Sequence, residues 1–156
     1  MAGILVVAEH RNNELREITL QMLNKASDLC QKNGYDLSVA LLGYNTDKLI
    51  NDLKDRANRI IVYNDQRLQN FNPDDYKEIL AALINERSPL ITFMGHTPWS
   101  MDLAPALAIK TGCPLATDCV DILLSSGRPK VVRQVYGGKI FSRMGFREAP
   151  GYLVTV

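Results

Sequence analysis

The chain has 156 residues, 46% of them hydrophobic and 22% charged, with 18 basic residues against 17 acidic ones and a formal net charge of +1. That length suits one domain burying roughly two thirds of its unfolded surface, and the composition excludes a disordered chain. The even charge balance excludes the basic stripe by which a protein neutralises nucleic-acid phosphates, and no run approaches the ~20 apolar residues that cross a bilayer.

Ile4 to Ala8 is a continuous apolar, largely β-branched run, the pattern of a strand buried on both faces in a parallel sheet. It is too short for a signal-peptide core and has no basic segment before it, which points to a cytoplasmic protein. Leu15, Ile18, Met22, Ala26 and Leu29 recur at helical spacing, and Asn33-Gly34 closes that helix with a left-handed residue. Asp36 to Leu42 is a second strand ending at Gly43. Thr46 is placed to cap a helix carrying Leu49, Ile50 and Leu53. Arg59 to Tyr63 is a third strand. Asn72-Pro73-Asp74-Asp75 combines a cap, a proline at the first helical position and acids in the first turn. Leu90 to Met94 is a fourth strand, followed by a helix over about Met101 to Thr111 that stops at Gly112.

Strand and helix thus alternate through the first 112 residues, which predicts parallel strands with right-handed crossovers. Ala116 to Leu124, Lys130 to Tyr136, Lys139 to Met144 and Tyr152 to Val156 then read as strands. Turn signals at Ser125-Ser126-Gly127, Gly137-Gly138 and Ala149-Pro150-Gly151 separate them. The expected fold is a single α/β domain over residues 1–156, three-layered and Rossmann-like, its mainly parallel sheet extended by C-terminal antiparallel strands.

Chemistry-bearing motifs are sparse. The first turn, Ala8-Glu9-His10-Arg11-Asn12-Asn13, lacks the glycines of a dinucleotide fingerprint or P-loop. Cys30, Cys113 and Cys119 have no C-x-x-C spacing, so neither a disulfide framework nor a cysteine-rich zinc site is expected. His10 and His96 follow strand ends without a carboxylate or cysteine pair at ligand spacing; His10 beside Glu9 reads as a surface or interface pair. Trp99, the only tryptophan, falls in the predicted loop from Gly95 to Ser100, as an interface residue or folded onto its own core. Asp118 and Asp121, around Cys119, are poorly spaced for a carboxylate dyad, and no Gly-x-Ser-x-Gly elbow occurs. The most informative run is Arg133-Gln134-Val135-Tyr136-Gly137-Gly138-Lys139, where paired glycines permit a tight turn or the close approach of another surface.

That run resembles the Arg-x-x-Tyr-Gly-Gly segment near the end of the first domain of electron transfer flavoprotein alpha subunits. Leu5-Val6-Val7-Ala8-Glu9-His10 is similar to that family's first strand. Gly95-x-Thr97 with Asp102-Leu103-Ala104-Pro105 resembles its Gly-x-Thr/Ser…Asp-Leu-Ala-Pro helix, and Leu115-Ala116-Thr117-Asp118-Cys119 resembles its Asp-Cys strand. Ser100, Met101, Ala106 and Gln134 depart from the usual residues. The resemblance implies an electron carrier with no catalysis of its own. It would pair with a beta-type subunit and help to complete an FAD site, linking dehydrogenases to a quinone oxidoreductase. Arg133, Tyr136, Gly137 and Gly138 are the residues it places near the flavin. In that family most FAD contacts come from a second domain, so this chain alone is expected to hold none. A homodimer is the expected state without the partner. The alternative reading is a stand-alone adenine-nucleotide-binding domain with a sensing role, its ligand over Val7, Ala8 and the loop at Gly95.

Overall fold

The structure, a computed structural model, describes residues 3–156. In chain order the elements are β1 (Gly3–Val7), β2 (His10–Arg11), β3 (Glu14–Leu15), α1 (Glu17–Asn33), β4 (Asp36–Gly43), α2 (Asp47–Leu53) and β5 (Arg59–Asn64). A 3-10 turn (Gln66–Leu68) leads to α3 (Pro73–Arg87), β6 (Ile91–Met94), α4 (Pro98–Thr111), β7 (Leu115–Ala116), β8 (Cys119–Ser125), β9 (Arg128–Val135), β10 (Ile140–Gly145) and β11 (Tyr152–Thr155).

Six strands form the main sheet in the order β5-β4-β1-β6-β11-β7, every pair parallel. Because successive side chains of a strand face opposite ways, the sheet feeds two cores. Ile4, Val6 and Ala8 face Met22, Leu23 and Ala26 of α1 together with Leu49 and Leu53 of α2. Leu5 and Val7 face Tyr76, Leu80 and Leu83 of α3 together with Leu103 and Leu107 of α4. The result is the expected three-layer α/β architecture. Among the described residues, no helix is long and apolar enough to cross a membrane.

Local signals set the helix ends. Gly34 closes α1 at φ 68° and Gly112 follows α4 at φ 70°, the left-handed geometry that costs glycine least. Asn72 caps α3, its side chain accepting from the amides of Asp74 and Asp75. Thr46 differs from expectation. Its side chain makes no capping bond to α2, and its buried hydroxyl has no partner among the described residues. Trp99 belongs to the first turn of α4 rather than to a loop, because Thr97 and Pro98 start that helix three residues earlier than its apolar spacing indicates.

The C-terminal third contains the expected antiparallel strands, but β8, β9 and β10 make a sheet of their own rather than an edge of the main one. The chain leaves the main sheet at Asp118, whose φ of 54° breaks the strand between β7 and β8. The departing sheet is held by its inner face: Ile122 and Val131 join the core on the α1 side, with Leu124, Met144 and Phe146 packed against it. Lys25 of α1 pairs with Asp121 at 2.6 Å, and the Lys25 hydrogen bond holds the Asp121 carboxyl below its ordinary range. The chain then returns, and β11 enters the main sheet parallel to both β6 and β7.

That return depends on Gly151. A Cβ there would lie 2.7 Å from the backbone oxygen of Pro89, just ahead of β6. Backbone cannot swing aside as a flexible side chain can. Gly151→Ala is therefore expected to destabilise the protein by about 1–3 kcal/mol, with a fall in Tm of about 2–4 °C for each kcal/mol. Thermal unfolding followed by circular dichroism measures this, and an unchanged Tm would mean that the β6–β11 contact is not tight.

Candidate functional site

In an open parallel sheet, ligands bind at the C-terminal ends of strands where the strand order reverses. Here that crevice lies between the ends of β1 and β6, and side chains fill it. Just after β1 the chain forms a small hairpin, β2 paired with β3, turning on Asn12 and Asn13 at φ 51° and 59°. Asparagine tolerates this geometry, so a two-residue turn stands where a phosphate loop would need glycines.

Glu9, ahead of that hairpin, points inward. It is 5% exposed, so it is a buried residue and not the surface partner of His10 that its neighbourhood in the sequence indicates. Its amide donates to Thr19 Oγ1 at 2.8 Å, and the Thr19 hydroxyl returns a bond to the Glu9 carbonyl at 2.9 Å. The Thr97 hydroxyl donates to Glu9 Oε1 at 2.9 Å, whereas Oε2 has no partner among the described residues. Burial raises the Glu9 pKa, opposed by the Thr97 bond and by the charge of Arg16. A Cβ on Gly95 would lie 2.8 Å from Glu9 Oε1 and 2.9 Å from Ile18, so a larger residue at the end of β6 would displace those side chains. Ser100 completes the plug, accepting from the Thr97 amide at 3.1 Å and donating to the carbonyl of Gly95. The place that the alternative reading assigned to a nucleotide, over Val7, Ala8 and the Gly95 loop, is thus occupied by protein.

Sequence reasoning missed Glu9 as a buried acid. The available signal was an acidic residue directly continuing a fully apolar strand, with Gly95-x-Thr97 closing another.

Beside the plug, Trp99 stacks on Phe71 with ring centroids 4.5 Å apart and planes 5° from parallel, and Tyr76 meets both rings edge-on. Trp99 therefore packs onto its own chain. The Tyr76 hydroxyl donates to the Leu42 carbonyl at 3.0 Å; burial first, and then the charge of Glu9, push its pKa up to about 12. His10 Nε2 lies 2.7 Å from the same carbonyl and so carries the proton of that bond. His96 Nδ1 is 3.0 Å from Thr155 Oγ1. The histidines serve separate contacts, and among the described residues no group of three or more His, Cys, Asp or Glu is arranged to hold a metal. Between the hairpin, the end of β4 and the segment before α3 lies a cleft of about 840 Å³.

The residues expected near a flavin all lie on the antiparallel sheet, but at two levels. Tyr136, Gly137 and Gly138 form the tip between β9 and β10, at φ 53°, 62° and 84°. Arg133 sits further down β9, opposite Cys119 of β8 and Ser142 of β10. Its Nε is buried with no partner among the described residues. The nearby Cys119 thiol is pushed up to about 11 by burial, with the Arg133 charge acting against that rise. As for a flavin, this arm offers one unused guanidinium donor and an open backbone at Gly137, where an added Cβ would meet nothing within 4 Å. These features fit one side of a planar acceptor; the rest of its enclosure has to come from outside this arm.

The family model described as "Electron transfer flavoprotein domain" matches residues 4–156. The chain is 33% identical over 157 residues to the electron transfer flavoprotein subunit alpha of Clostridium acetobutylicum, covering 99% of this chain and 47% of that protein. It is 30% identical over 156 residues to Protein FixB of Clostridium saccharobutylicum, with the same coverages. A third relative, the LctC subunit of the lactate dehydrogenase (NAD(+),ferredoxin) of Acetobacterium woodii, is 26% identical over 144 residues, 91% of this chain and 34% of that protein. The chain thus spans about half or less of the length of these relatives.

The buried Glu9 gives a pH prediction. A carboxyl whose folded pKa is raised contributes stability that is complete below the unfolded value, about 4.3, and is lost as pH rises through the folded value. Glu9→Gln removes this titration. The variant should gain stability relative to the wild type as pH climbs from about 4.3 through that window, with a constant difference above it. Denaturant unfolding at a series of pH values reads this directly; a difference that does not vary with pH would place Glu9 in contact with water.

Proposed function

The chain belongs to the electron transfer flavoprotein domain family, and on that premise we propose that it works as the N-terminal part of an alpha-type subunit. It docks a beta-type subunit through the antiparallel arm and helps to complete a flavin site, without catalysing a reaction itself. The pair would accept electrons from a dehydrogenase and pass them to a quinone oxidoreductase.

The observation that carries this reading is the tip of the arm. Tyr136 is 78% exposed, Phe141 62% and Ile140 52%, an apolar cluster at the β9–β10 turn of a sheet whose inner face is built into the core. Tyr136 also holds a left-handed backbone, which a bulky side chain adopts at a cost of about 1–3 kcal/mol. Among the described residues little offsets that cost, because the ring is largely exposed. A partner surface covering the tip would repay it. The plugged crevice at Glu9 supports the same reading from the other end, since it leaves the flavin to be held outside this domain's own strand ends.

The flavin, when bound, supplies the electron-carrying chemistry. Arg133 supplies a fixed positive charge beside it, which favours the reduced anion more strongly where water is excluded. In the complex reconstituted with a beta-type subunit and the remainder of the alpha subunit, Arg133→Ala should lower the flavin reduction potential while the fold persists. Arg133→Lys should recover part of the shift, since it keeps the charge but loses the planar fork. Potentials unchanged in both variants, with the complex assembled, would remove Arg133 from the flavin's surroundings.

A further inference from the structure

We propose that the outer strand β5 is a self-pairing surface, at which two copies of the chain join antiparallel about a two-fold axis at Val62. β5 ends the six-stranded sheet and, among the described residues, pairs only with β4. An outer strand presents unpaired backbone amides and carbonyls, and proteins ordinarily guard such edges with charge, proline or brevity. The other edges of the two larger sheets carry such guards. β7 is two residues long, β8 has Asp121 within it and β10 has Arg143. β5 has none of these between its end residues, where Ile60, Ile61, Val62 and Tyr63 follow one another. Val62 is exposed, and a groove of about 520 Å³ lined by Val62, Tyr63 and Ile79 lies open along the strand.

The ends of the strand select the occupant and its direction. Arg59 opens β5, is exposed and joins no ion pair among the described residues. Asp65 follows the strand and has Arg67, two residues along, as its ion-pair partner at 3.1 Å. A carboxylate accepts from more than one donor, so Asp65 can take a second cation. With Val62 on the axis, Arg59 of each copy lies opposite Asp65 of the other, and Ile61 lies opposite Tyr63. Parallel pairing in register would instead set Arg59 against Arg59, and like charges directly opposite destabilise a strand pair. The edge therefore complements itself in one direction, and the two-fold axis makes each match twice. Ile60 borders the core on the α1 side, and Ile61 and Tyr63 border the core on the α3 side. A second β5 continues both layers. This inference does not rest on the pairing reading: β5 is at the opposite edge of the sheet from β7, beyond which the arm departs.

Sedimentation equilibrium of the chain over a concentration series should show a reversible monomer–dimer equilibrium. Val62→Lys sets two ammonium groups face to face on the axis and should weaken the dimer about tenfold or more. Arg59→Asp, which opposes Asp65 with a carboxylate, should weaken it comparably. Asp65→Arg added to Arg59→Asp restores opposite charges and should recover the dimer. Phe141→Ser, on the arm, should leave it unchanged. Circular dichroism establishes that each variant is folded. A chain that stays monomeric at millimolar concentration would overturn the proposal. So would a dimer indifferent to Val62→Lys, a dimer lost in Phe141→Ser, or a charge exchange that recovers nothing in the folded double variant.

Discussion

The architecture turns on Thr155, near the end of the last strand. Its hydroxyl accepts the amide of Asp118 at 3.0 Å and meets His96 Nδ1 at 3.0 Å. Those partners lie where the chain departs for the antiparallel arm and where β6 passes into α4. The backbone around Thr155 closes the same junction: the Val156 amide donates to the Met94 carbonyl at 3.0 Å, and the His96 amide to the Val156 carbonyl at 2.6 Å. One fully buried strand, formed last in the chain, thus links the end of the central sheet to the root of the arm. Everything from β8 to β10 is an excursion between two strands of one sheet, and β11 is what anchors its return.

That arrangement divides the molecule into a rigid platform and a projecting element. The platform's strand ends, the usual place for a ligand in this class of fold, are filled by the Glu9–Thr97–Ser100 cluster between β1 and β6. Glu9 is held there by a partner 88 residues away and fills the space beside Gly95. Burying a carboxyl with one oxygen unpartnered is costly, and the fold bears that cost where related architectures leave a crevice. A cluster of exposed apolar residues, one of them Tyr136 with its left-handed backbone, lies instead at the β9–β10 turn of the arm, where a second surface can reach it.

Much of the fold was legible because its causes are local. The apolar run Ile4 to Ala8, the cap-and-proline start at Asn72-Pro73 and the stops at Gly34 and Gly112 each depend on a few adjacent residues. Thr97-Pro98 carried the same start signal as Asn72-Pro73, and apolar spacing alone obscured it. The independence of the antiparallel sheet was not legible, because it depends on Ile122 and Val131 reaching the α1 face across long sequence separations. Burial of Glu9 had a local signal in the apolar strand it continues, but its hydroxyl partner, Thr97, lies 88 residues away. Of the residues expected near a flavin, the turn geometry at Gly137 and Gly138 was readable from the glycine pair. Neither the unpartnered Arg133 Nε nor the positive φ of Tyr136 has any signature in the sequence.

Backbone hydrogen exchange, measured on the chain alone and in complex with a beta-type subunit, tests the division into platform and arm most directly. The amides of β1, β6 and β11 should be strongly protected in both states, while those of residues 134–142 should exchange readily in the free chain and become protected on complex formation. If the complex forms and the arm's exchange does not change, or if β11 exchanges as fast as the free arm, the account is contradicted.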